Sequence, residues 1–96
     1  MDIFFHVGSA GGGKLLLPLV LACRRRGASF AAFFTHDGVK CLADAALRNA
    51  LTGAERAVVC EESWNLHCPG AECPVERGSQ TANCALMGEA SRVVSL

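Results

Sequence analysis

The sequence carries no surplus of charge of either sign: nine lysines and arginines are matched by nine aspartates and glutamates. That balance argues against the basic footprint with which proteins engage nucleic acid or an anionic membrane surface. No apolar run reaches the roughly 20 residues needed to cross a bilayer; Leu15 to Cys23 falls well short and is interrupted by Pro18. No internal repeat, low-complexity tract or second domain is visible, so residues 1–96 are read as one domain. A domain this short has a marginal core unless its sheet is covered or completed by other subunits, so a homo-oligomer is expected.

What the chain does have is cysteine, six in 96 residues. A secreted disulfide scaffold would be loop-rich and sparing of apolar runs, whereas here apolar strands alternate with helical stretches able to form an ordinary core. The run Leu15 to Cys23 ends like a bacterial lipoprotein cleavage box. An apolar strand precedes that run, however, and Arg24, Arg25 and Arg26 follow it instead of leading it, which argues against an export signal. The reading is a cytoplasmic protein with reduced thiols. The three arginines are solvated charge at a helix end, where cations complement the dipole.

The pattern along the chain is regular. Asp2 to Val7 reads as a buried strand, Gly8 to Gly13 as a turn, and Lys14 to Arg26 as a helix stopped by Gly27. Pro18 fits that helix only in its first turn or at a bend. Ser29 to Thr35 is a strand apolar on both faces, followed by the turn His36-Asp37-Gly38. Val39, Leu42, Ala46, Leu47 and Leu51 recur at helical spacing, and Gly53 closes that second helix. Ala57 to Cys60 is a third strand. Glu61 to Gly78 reads as a loop or short irregular helix, Ser79 or Thr81 caps a helix reaching Glu89, and Arg92 to Leu96 is a last strand. The alternation predicts a three-layer α/β/α fold with a mostly parallel sheet of four or five strands.

Four constellations compete for chemistry. Gly8-Ser9-Ala10-Gly11-Gly12-Gly13-Lys14 fits a phosphate loop until Leu15 stands where a magnesium-binding hydroxyl is required, so it reads as a flexible turn, with anion or nucleotide binding as the weaker alternative. His67, Cys68 and Cys73 have a finger-like gap, but the second ligand pair is missing at any standard spacing, leaving a disulfide or two free loop thiols. Neither a metal nor an organic cofactor is expected. Cys23, Cys41 and Cys84 fall in apolar helical patterns, where cysteine acts as a small core residue, although Cys41 in a first helical turn would have a lowered pKa. Cys60 ends a strand that runs into Glu61-Glu62-Ser63-Trp64. The carboxyl ends of parallel strands are where ligands collect, so this thiol is either presented to solvent or a buried strand-end residue.

A resemblance bears on that choice. The order strand, glycine turn, helix, then Phe33-Phe34-Thr35-His36-Asp37-Gly38-Val39, Val58-Val59-Cys60 and Ala90-Ser91-Arg92-Val93-Val94-Ser95-Leu96 is similar over essentially the whole chain to the DsrE/DsrF-like family of small sulfur-relay proteins. Ser91 stands where that family has an aspartate. The resemblance implies that Cys60 accepts sulfane sulfur as a persulfide and passes it on, with sulfur donor and acceptor proteins as partners and a trimer or hexamer as the assembly. Cys68, Cys73 and Cys41 are accessory candidates. Members lacking the strand-end cysteine act as assembly partners, so a non-catalytic oligomeric subunit is the alternative. Glu61 and Glu62 replace the small and basic residues usual in the family after this cysteine, and adjacent carboxylates are expected to raise its pKa.

Overall fold

A computed structural model describes all residues from Met1 to Leu96. Five strands form one all-parallel sheet: β1 (Ile3–Val7), β2 (Phe30–Phe34), β3 (Arg56–Cys60), β4 (Glu76–Gly78) and β5 (Arg92–Ser95), in the order β4-β3-β2-β1-β5. Helices α1 (Gly12–Arg26), α2 (Ala45–Ala50), α3 (Glu61–His67) and α4 (Gln80–Glu89) cover it. This is the three-layer α/β/α arrangement that the alternation predicts, with the sheet parallel throughout.

The two faces are unequally covered. Phe5, Val7, Phe30, Ala32, Phe34 and Val59 meet side chains of α1, α2 and α3 in a cluster of 16 buried residues. On the other face Phe4, Ala31, Phe33, Val58 and Cys60 meet Leu86 of α4 in a cluster of 6. All residues of β2 are buried, as its Phe-Ala-Ala-Phe-Phe composition requires of a central strand packed on both sides. The connection leaving β3 therefore runs over one face through α3, while that leaving β4 runs over the other through α4. The two diverge at the carboxyl ends of β3 and β4 and open a crevice there, as parallel sheets do where successive connections part.

Helix α1 buries Leu16, Val20 and Cys23 at helical spacing and ends on Gly27, whose φ of 67° is the left-handed value that glycine adopts without strain. Pro18 lies inside it, past the first turn and on the exposed side, so the Lys14 carbonyl lacks its usual intrahelical partner.

The expected single helix from Val39 to Gly53 is in fact three pieces. A 3-10 segment spans His36–Ala43, α2 follows, and a 3-10 turn closes Leu51–Gly53. The break falls at Asp44, whose extended backbone and side chain cap α2 by accepting the Ala46 amide at 2.9 Å. A short acid that competes for backbone donors terminates helices in this way. Val39, Leu42, Leu47 and Leu51 are buried as the spacing implies, whereas Ala46 is exposed.

The stretch from Glu61 to Gly78 is more ordered than a loop. Helix α3 starts directly after β3, with Glu61 and Glu62 in its first turn, where negative charge complements the dipole. Strand β4 then pairs with β3, helped by two hydrogen bonds from Arg56 to Glu76 at 3.2 and 2.5 Å. Ser79 caps α4 by accepting the Thr81 amide at 3.2 Å. No helix is long and apolar enough to cross a membrane.

Gly38 fixes the seam between β1 and the 3-10 segment: a Cβ there would lie 2.2 Å from the Val7 carbonyl oxygen, a backbone atom that cannot step aside. Gly11 has nothing within 4 Å of the same position. Gly38→Ala is expected to cost about 3 kcal/mol and Gly11→Ala less than about 1 kcal/mol, read by urea denaturation. Equal losses would contradict this account of the seam.

Candidate functional site

Cys60 is at once the last residue of β3 and the residue preceding α3. The side chain at that position normally accepts N–H groups from the second and third helical residues, here Glu62 and Ser63. The sulfur is larger than the usual capping oxygen, and no short cap bond closes. Both amides nevertheless face it, together with the hydroxyls of Ser63 and Thr35. Burial pushes the Cys60 thiol up, but these four donors outweigh burial and hold it below the ordinary thiol value. The expectation that Glu61 and Glu62 would raise it is overturned: both carboxylates are on exposed residues, and Glu62 contributes its backbone amide instead.

The thiol is recessed but not sealed. Cys60 is 7% exposed and lines an open cavity of about 680 Å³, whose walls include Thr35, Ser63, Gln80, His6, His36 and His67. A space of that size lies within the range of small-ligand sites. It gathers every histidine of the chain around one thiol. His6 stacks on Phe33 with ring centroids 6.3 Å apart, and His67 Nε2 lies 3.4 Å from Asp37 Oδ1.

A hydrogen-bond network braces the wall. The His36 amide donates to Ser63 Oγ at 2.9 Å, Thr35 Oγ1 lies 2.9 Å from His36 Nδ1 and 3.4 Å from Ser63 Oγ, and Gln80 Nε2 donates to Thr35 Oγ1 at 3.3 Å. Asn83 Nδ2 in turn donates to Gln80 Oε1 at 3.3 Å. Strand pairing explains the placement of Thr35. Phe34 is in register with Val59, so the next residues, Thr35 and Cys60, stand side by side at the carboxyl edge.

The other sequence candidates are elsewhere. Cys41, Cys68 and Cys73 pack with the larger core cluster, whereas Cys60 belongs to the smaller cluster on the opposite face. Cys68 borders a separate groove with Trp64 and Lys40, and the Cys73 sulfur faces the Val75 carbonyl at 3.2 Å. Cys41 is mid-way along the 3-10 segment and points at the Ser9 and Ala10 carbonyls, at 3.5 and 3.3 Å. Burial pushes its thiol up, opposite to the lowering expected from a first helical turn. Cys84, expected in the core, is exposed, and Cys23 is buried with its thiol raised by burial and then by Asp2. All six cysteines are unpaired thiols, and no three His, Cys, Asp or Glu side chains are grouped to hold a metal ion.

The glycine loop has a packing explanation. A Cβ on Gly12 would lie 3.1 Å from Val7 Cγ1 and one on Gly13 2.8 Å from Cys41 Sγ, so both glycines admit neighbours instead of a phosphate. Only Gly8 of that stretch borders the cavity, and Lys14 is exposed.

The sequence reading passed over His6, Thr35, His36, Ser63 and Gln80 as site residues. The signal is positional: His6 is next to last in β1, Thr35 and His36 directly follow β2, Cys60 ends β3, and Ser63 and Gln80 lie in the first turns of the helices that diverge around them.

Because the folded thiol ionises below its ordinary value, it adds stability that is present above the ordinary thiol pKa and lost as pH falls through the folded one. Ser63→Ala removes one hydroxyl facing the sulfur. It is expected to raise the pH midpoint of Cys60 alkylation by iodoacetamide and slow the reaction at pH 7 roughly three- to tenfold. An unchanged midpoint would contradict the role given to these donors. No model of a known protein family matches the chain, and no curated protein matches it significantly.

Proposed function

We propose that the protein is a sulfur carrier that holds sulfane sulfur as a persulfide on Cys60. The single observation behind this reading is a thiol with lowered pKa at the floor of an open cavity, ringed by hydrogen-bond donors. In the loading step the Cys60 thiolate attacks the terminal sulfur of a donor persulfide R–S–SH. A bond forms between Cys60 and that sulfur, the donor S–S bond breaks, and RS⁻ leaves with the electron pair. In the unloading step an acceptor thiolate attacks the outer sulfur and Cys60 departs as a thiolate. No oxidant is consumed in either step. A lowered pKa favours both, since it raises the thiolate fraction for attack and improves Cys60 as a leaving group.

Handing the sulfur on within the chain has little geometric support, because Cys41, Cys68 and Cys73 pack with the opposite core cluster. Donor and acceptor are therefore external, and protein partners able to insert a cysteine into the cavity fit the recess. The unpaired state of all six thiols suits a reducing, cytoplasmic setting.

The assembly reading draws on a different observation. Leu15 and Leu19, four residues apart on α1, are 59% and 39% exposed, and β5 leaves one sheet edge open with Val93 43% exposed. These surfaces suit a homo-oligomer, trimeric or hexameric, with or without sulfur on Cys60.

Incubation with a low-molecular-weight persulfide is expected to add about 32 Da per sulfane sulfur, removable by reductant, and Cys60→Ser to lose the adduct. An adduct that survives in Cys60→Ser would move the role to another thiol. An unreactive Cys60 in a stable oligomer by light scattering would favour the assembly subunit.

A further inference from the structure

His36 is the one residue other than glycine with a left-handed backbone, at φ 52°. That region is sterically disfavoured for a residue with a Cβ and marks places where the surroundings impose a conformation. Here the imposed turn lets the His36 amide donate to Ser63 Oγ and brings Nδ1 to 2.9 Å from Thr35 Oγ1. Thr35 is 3% exposed and shares its sheet edge with Cys60. Its oxygen already accepts from Gln80 Nε2. Its one hydroxyl proton has two takers within hydrogen-bond distance, His36 Nδ1 and Ser63 Oγ, and the neighbouring Cys60 sulfur, on the same cavity wall, is a third.

We infer that His36 is a positioning residue for Cys60, deciding through the Thr35 hydroxyl whether that one proton is donated to the imidazole or to the sulfur. When Cys60 is a thiol, the Thr35 hydroxyl donates to an unprotonated Nδ1, and the neutral ring carries its proton on Nε2. When Cys60 is a thiolate, the hydroxyl turns to the sulfur, and Thr35 Oγ1 accepts from a protonated Nδ1 instead. The imidazole side chain belongs to an exposed residue, so its proton moves between the two nitrogens by exchange with water. Cys60 releases its proton to water, the neutral imidazole keeps one proton that changes nitrogen, and everything else is a rearrangement of hydrogen bonds.

The other titratable groups around this network are His6 from β1 and Glu62 and His67 from α3, which share its cavity, and Asp37 of the 3-10 segment, which faces His67. Asp37 is engaged by His67 Nε2 at 3.4 Å and by Lys40 Nζ at 3.8 Å. Helix α4 contributes the uncharged Gln80. His36 is thus the only imidazole bonded to Thr35. The coupling deepens the role proposed for Cys60 and rests on it, yet it is measurable without any sulfur donor.

Nitrogen-resolved NMR of the histidines in the full chain, recorded across the pH range in which Cys60 ionises, tests the coupling. As Cys60 ionises, the ratio of protonated to unprotonated His36 Nδ1 is expected to rise at least about fivefold. Thr35→Val and Cys60→Ser are expected to abolish that rise, Thr35→Ser to keep it, and His6 and His67 to show no matching change. A constant His36 Nδ1 in the wild type, or the same rise in Cys60→Ser, overturns the inference. Loss of the persulfide adduct with the Nδ1 response intact would overturn the carrier role alone.

Discussion

The last residue of β3 is also the capping residue of α3, and that double duty is the constraint on which the site depends. A strand-end side chain in a parallel sheet is delivered to the carboxyl edge, and a capping side chain is delivered to free amides. With cysteine at that position, the amides that would satisfy a capping oxygen face a sulfur instead and favour its anion. The unequal covering of the sheet completes the arrangement. Helix α3 goes to one face and α4 to the other, so the crevice between them leaves the sulfur reachable although the residue is buried.

The surrounding polar groups form one connected network instead of separate contacts. Thr35, Ser63, His36, Gln80 and Asn83 are linked by hydrogen bonds, and a part-buried network of this kind fixes the geometry of its buried members. The Asn83 side-chain oxygen is the one buried side-chain oxygen or nitrogen without a partner. That network ties the chain leaving β2 to the starts of α3 and α4 in a single wall. It also explains how His36 is kept in its disfavoured turn.

The sequence made the fold legible because apolar strands and helical spacing alternate cleanly. Ile3-Phe4-Phe5 and Phe30 to Phe34 are strands, Lys14 to Arg26 lies within α1, and the final strand begins at Arg92 as its composition indicates. It misled where a polar residue competes locally with the backbone, as at Asp44, which splits an apparently continuous helix. It also missed the order in Glu61 to Gly78, since a three-residue edge strand is positioned by its pairing with β3, by Arg56–Glu76 and by Gly78 lying flush on Val58, none of which is local in sequence. Cys60 was visible as a strand-end thiol. The direction of its pKa was not, because adjacent glutamates suggest repulsion while the deciding amides belong to a helix whose start the sequence left open. The histidines around it come from β1, from the 3-10 segment and from α3, and only the parallel register brings them together.

The central claim is that recessed Cys60 is the most reactive thiol of the six because of its donors and not its exposure. Alkylation with less than one equivalent of iodoacetamide at pH 7, followed by peptide-resolved mass spectrometry, tests it most directly. The account predicts that Cys60 takes the label ahead of the exposed Cys84 and the half-buried Cys68 and Cys73. Label ordered by exposure, with Cys84 first and Cys60 among the last, would contradict it.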